Sequence, residues 1–91
     1  MMSTISIEDK TLPLLKDSIE MKKRALDFAA GRYEKRLRDF EKRHQLTTEV
    51  FLNRFQMGEL GDNKEWFDWQ YVSDAYAETQ RQLNLLQGIR L

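Results

Sequence analysis

The chain has 91 residues, a third of them charged, with fifteen Lys or Arg balancing fifteen Asp or Glu and no cysteine. That length allows one domain at most, and without cysteine neither disulfides nor thiolate metal sites can support it, so packing must hold the fold. No apolar run approaches the ~20 residues of a membrane span, and the opening MMSTISIEDK reads as neither a cationic leader nor an apolar signal core, which points to a soluble, cytoplasmic protein with no membrane contact. The zero net charge hides an uneven distribution. Residues 16 to 43 hold ten bases and six acids, a balance of +4, whereas residues 49 to 78 hold seven acids and two bases, a balance of −5. Arms of opposite sign attract each other, within one chain or between antiparallel copies.

Residues 1 to 10 read as a flexible tail. The alternating Ile5-Ser6-Ile7 has strand periodicity but no second strand to pair with. Pro13 suits the first turn of a helix, where its missing N–H is not needed, so a first helix is expected over about residues 12 to 45. Ile19, Leu26, Tyr33 and Phe40 fall seven apart, with Ala30, Leu37 and His44 on the same stripe, while Lys16 and Lys23 wet its early part. Glu20 with Arg24, Glu34 with Arg38 and Asp39 with Arg43 are acid-before-base pairs at i,i+4. Gly31 is the discord, since glycine inside a helix costs about 1 kcal/mol relative to alanine. It marks a close helix crossing or a local bend.

Thr47-Thr48-Glu49 then supplies a cap and an acidic first turn for a short helix over about 48 to 57 that turns Val50, Phe51, Phe55 and Leu52 inward and stops at Gly58. Asp62-Asn63-Lys64-Glu65 reads as a capping box, with Asp62 capping and Glu65 reaching back, opening a last helix over about 63 to 87. Its seam is Trp69, Val72, Tyr76, Thr79, Leu83 and Leu86, ending before Gly88. The expected fold is therefore all-α: a hairpin of two long amphipathic helices joined by a short helix and a glycine-rich turn, forming one domain over residues 11 to 91. So small a hairpin buries little apolar surface, so a homodimer or larger homo-oligomer is expected, with Leu26, Tyr33, Leu37, Phe40, Val72, Tyr76 and Leu83 as its seam.

Chemistry-bearing motifs are scarce. A single histidine, His44, lies on the apolar stripe and reads as structural rather than as a ligand. Asp62, Glu65 and Asp68 have cation-ligand spacing, but capping accounts for the first two. No nucleophile elbow, phosphate loop, HExxH or paired-carboxylate signature is present, so the chain reads as a non-enzyme without metal or cofactor. Arg32, Lys35, Arg36, Lys42 and Arg43 form a basic cluster able to meet phosphates, although interspersed acids reduce its field. The elbow between the long helices concentrates Phe51, Phe55, Trp66, Phe67 and Trp69, more aromatic surface than a small turn requires. Leu60, Trp66 and Trp69 are accordingly the candidate partner-binding residues.

Thr48, Phe51, Phe55, Gly58, Glu59, Leu60, Gly61, Asp62, Phe67 and Trp69, within the run TTEVFLNRFQMGELGDNKEWFDW, carry a resemblance covering about Glu34 to Leu86. The run is similar to that of small helical proteins of bacteria and archaea with a long first helix, a T-x-E-x-F short helix, a G-E-L-G-D turn and an aromatic-rich last helix. These are antitoxin-like halves of toxin and antitoxin gene pairs. The resemblance implies an interaction protein that neutralises a cognate toxin by occlusion. A self-assembling coiled-coil scaffold and a weak nucleic-acid binder acting through the basic helix are the alternatives.

Overall fold

The computed structural model describes residues 9–91, and the reading of Ile5-Ser6-Ile7 falls outside them. The described residues form three helices and no strand: α1 (Leu12–His44), α2 (Thr48–Gln56) and α3 (Lys64–Gln87). Each boundary has a local cause. Pro13 lies in the first turn of α1, and Lys42, Arg43 and His44 place cationic or polar side chains at the negative end of its dipole. Gln45 then turns left-handed at φ 54°, its N–H donating to the Glu41 carbonyl and its side-chain amide to that of Lys42 at 2.7 Å. Thr47 caps α2, its hydroxyl accepting the Val50 N–H at 3.2 Å.

Gly58 and Gly61 follow α2 with φ of 71° and 75°, a region that side-chain-bearing residues rarely adopt. The start of α3 differs from expectation by one position. Asn63, not Asp62, is the cap, its Oδ1 accepting the Glu65 N–H at 2.9 Å, and Glu65 does not reach back to complete a capping box. The Glu65 carboxylate is drawn instead to α1, where it meets Arg43 and His44.

The two long helices pack side by side and antiparallel. Leu26 and Ala30 in the middle of α1 meet Leu83 near the end of α3, with Tyr76 and Leu86 alongside. Phe40 near the end of α1 meets Trp69 and Val72 near the start of α3, and Phe51 of α2 completes that second cluster. The seven residues expected to form an oligomer seam thus serve one chain. Leu26, Phe40, Val72 and Leu83 are buried within it, while Tyr33, Leu37 and Tyr76 pack half-buried against the same clusters. Thr79 is the one buried polar residue among those described, and its hydroxyl donates to the Ala75 carbonyl at 2.8 Å, so it sits in the seam satisfied.

Among the surface pairs, Glu34 and Arg38 meet at 3.6 Å as spaced. Glu20 turns to Lys23 rather than Arg24, and Arg43 reaches Glu65 rather than Asp39. Exposed pairs of this kind contribute ~0.5 kcal/mol or less, so these exchanges do not alter the fold. On α3, hydrogen bonds from Arg81 and then Gln82 hold the Glu78 carboxyl well below the usual range, at about 2. Among the described residues no helix is long and apolar enough to cross a membrane.

Gly31 supports no close crossing: it is exposed, and a Cβ built there meets nothing within 4 Å. Gly31→Ala should therefore stabilise by about 1 kcal/mol, a rise of ~4–8 °C in melting temperature for a chain of this size. Gly61→Ala has equal space but the wrong φ, and should lower the melting temperature by a similar amount. Thermal unfolding followed by circular dichroism checks both, and a destabilised Gly31→Ala would contradict the exposed placement.

Candidate functional site

The elbow is where all three helices meet, and Trp69 is its centre, with 0% of its surface exposed. Phe51 of α2 lies parallel to it at 4.0 Å between centroids, Phe40 of α1 stacks at 5.4 Å, and His44 stacks at 5.6 Å. The indole N–H of so buried a tryptophan needs an acceptor, and it finds the Thr48 hydroxyl at 3.1 Å. That hydroxyl donates in turn to the Glu41 carboxylate at 3.0 Å, which also accepts the Thr48 backbone N–H at 2.8 Å. Glu41 of α1 thereby anchors the positive end of α2, and Thr48 passes the connection to α3. No local motif in the sequence marks Glu41, because its partner lies seven residues on, past the left-handed Gln45 that ends α1.

Trp66 and Leu60, two of the expected partner-binding residues, hold one another. The Trp66 indole N–H donates to the Leu60 carbonyl at 3.1 Å, pinning the glycine turn onto α3. The Trp66 ring packs at 4.5 Å on His44 and at 5.7 Å on Phe51, so both residues are only half-exposed. Trp69, the third, has no accessible surface to offer, and its expected role in partner contact is withdrawn: it is the core. The exposed aromatic surface lies elsewhere. Phe67 is 56% exposed and Tyr71, one turn further along α3, 67%. Phe67 stands edge-on to Phe55 at 5.4 Å, and Phe55 stacks on Phe51, so the surface ridge continues the buried stack without a break.

Charged groups of the elbow pair across its helices, but one buried ring nitrogen is left without a hydrogen bond. The Glu65 carboxylate pairs with Arg43 and lies 3.1 Å from His44 Nε2. That nitrogen is shielded from solvent and sits off the axis of a hydrogen bond, so the contact is electrostatic proximity and does not satisfy the ring as a donor or acceptor. Beside it, Arg36, Asp39, Phe40, Arg43, Asn63, Lys64, Glu65 and Asp68 line an open cleft between α1 and the start of α3, whose three cations and three anions give no net preference for an anion. Among the described residues no group of three His, Asp or Glu converges as metal ligands, Asp62, Glu65 and Asp68 included.

The basic cluster takes a definite place. At 100° per residue, Arg32, Lys35, Arg36, Lys42 and Arg43 fall within about 120° of arc on the side of α1 turned away from the seam, with Asp39 the one acid among them. All five are exposed, and only Arg43 forms an ion pair among the described residues.

Trp69→Ala should cost ~3–5 kcal/mol and unfold much of the domain. Glu41→Ala, which strips the Thr48 N–H of its acceptor and unlinks the indole relay, should cost about 1–3 kcal/mol, and Asn63→Ala about 1 kcal/mol against almost nothing for Asp62→Ala. Urea titrations of the four variants give this order. A Glu41→Ala protein as stable as the parent would remove the relay from the account.

No protein-family model, curated protein or solved structure matches the chain, so its site is read from its own residues.

Proposed function

We propose that the chain is a non-enzymatic, cytoplasmic interaction module, a helical hairpin that docks its elbow on the surface of a partner protein. The observation that carries this reading is the Phe67–Tyr71 ridge, two large aromatics more than half exposed and one turn apart, the first of them set edge-on against the aromatic stack of the elbow. Aromatic side chains, with two side-chain torsions each, lose little entropy on binding for the area they bury, which is why they anchor protein interfaces. The half-exposed rims of Trp66, Leu60 and Phe55 extend the ridge to the glycine turn. The mechanism is occlusion: the ridge covers the partner's working surface and contributes no chemistry. The antitoxin-like resemblance of the TTEVFLNRFQMGELGDNKEWFDW run gives the partner as a cognate toxin.

A second reading, weak nucleic-acid binding through α1, has one observation in its favour, the segregation of Arg32, Lys35, Arg36, Lys42 and Arg43 to the outer face. Such binding would be strongly salt-dependent and indifferent to base sequence.

Purification of the tagged full-length chain from its native host tests the first reading. Phe67→Ala with Tyr71→Ala should cost the copurified partner about 2 kcal/mol or more of affinity, roughly thirtyfold, with helicity unchanged. Trp66→Ala should affect binding and stability together, because its ring also supports His44 and Leu60. Partner capture unaltered by the Phe67/Tyr71 double variant would move the interface to α1.

A further inference from the structure

The side of α1 turned away from the seam carries a second apolar stripe, exposed among the described residues. Leu14, Met21 and Phe28 recur every seven residues and are 68%, 68% and 70% exposed. Between them, at the alternate positions of the same stripe, stand the exposed small residues Ser18 and Ala25. The Ser18 hydroxyl already donates to the Leu14 carbonyl at 2.9 Å, so burying it strands no polar group. Leu14 to Phe28 spans about 21 Å of helix, and the stripe then gives way to Arg32.

We infer that this stripe is the contact between two copies of the chain, joined as an antiparallel pair of α1 helices about a two-fold axis passing between Ile19 and Glu20. Two complementarities single out a second copy. In that register each large residue faces a smaller one, Leu14 opposite Ala25, Met21 opposite Ser18 and Phe28 opposite Thr11 just before the helix, with each layer repeated by the symmetry. A parallel pair would instead face Ser18 and Ala25 with their own copies, leaving gaps beside crowded Leu14 and Met21 layers. The flank supplies the second. Asp17 and Arg24 both lie on one edge of the stripe, exposed and without an ion pair among the described residues. Edge positions of this type meet their own kind across an antiparallel seam, so Asp17 of each copy faces Arg24 of the other, two opposite-sign contacts where a like-charge clash was equally open to the sequence. The surface is separate from the elbow ridge, so a dimer leaves both copies of that ridge free. With three large anchors per copy the interface is small, which gives an association in the micromolar range.

Sedimentation equilibrium of the full chain from about 5 to 500 µM should show a reversible monomer–dimer equilibrium. Met21→Glu, at an exposed site outside the core, should weaken association about tenfold or more with unchanged circular dichroism. Asp17→Arg should weaken it as well, and Asp17→Arg with Arg24→Asp should restore it. Because the chain has no cysteine, single Leu14→Cys and Ala25→Cys variants report the register. Mixed, they should form a disulfide-linked dimer on oxidation, and neither should do so alone, since two Leu14 positions lie about 16 Å apart along the seam. A parent chain that stays monomeric throughout, its stripe covered by its own first eight residues or left to another protein, would overturn the inference. So would a dimer indifferent to Met21→Glu, or one in which Leu14→Cys crosslinks to itself.

Discussion

Everything at the elbow depends on taking one indole out of water. Trp69 brings a large apolar area and a single polar atom into the junction of three helices, and its N–H is costly to bury unless an acceptor is fixed in place. Thr48 is that acceptor, and it is fixed because Glu41 holds both its hydroxyl and its backbone N–H. The relay sets how α2 enters, which decides that Phe51 covers one face of the indole while Phe40 and His44 cover the rest. Packing and polar satisfaction therefore specify the same geometry, the agreement between levels that gives a chain one folded state.

Stability is unevenly spread along the antiparallel pair. The elbow cluster holds Phe40, Phe51, Trp69 and Val72 with seven more apolar residues around them, whereas the distal cluster has Leu26, Ala30 and Leu83 with only Tyr76 and Leu86. Lys16 and Lys23 wet the early seam, and beside them Ile19, Ile89 and Leu91 border an open groove. The half of α1 with the thinnest inner packing is also the half with an apolar outer stripe. Support from outside would fall where the single chain has least of its own.

The helices were legible because their signals are local: Pro13, the Thr47 cap, Gly58, and a 3-4 spacing from Trp69 to Leu86 that needs no tertiary knowledge. The α3 cap was read one residue early because Asp62 and Asn63 are equally good caps in isolation, and the choice fell to Glu65, which α1 claims through Arg43 and His44. Burial within the aromatic cluster was legible only in part. The 3-4 spacing puts Trp69 on the seam and Phe67 off it, but that Phe51 of α2 would close over the indole, and leave Phe67 as a ridge beside Phe55, depends on the approach of α2. The Leu14, Met21 and Phe28 stripe was hidden by the richer seam on the opposite face, since the heptad through Leu26 accounts for the helix by itself.

Both tryptophans lie in the elbow, Trp66 and Trp69 with ring centroids 6.3 Å apart, and the distal half of the pair has none. Tryptophan fluorescence, excited apart from the tyrosines, thus reports on the elbow alone, while far-ultraviolet dichroism averages over the whole helical length. Fraying that starts at the far end would pass unseen by one probe and register in the other. Non-coincident transitions would then measure how independently the two clusters melt, and coincident ones would mean that the thin distal cluster is held by the thick one.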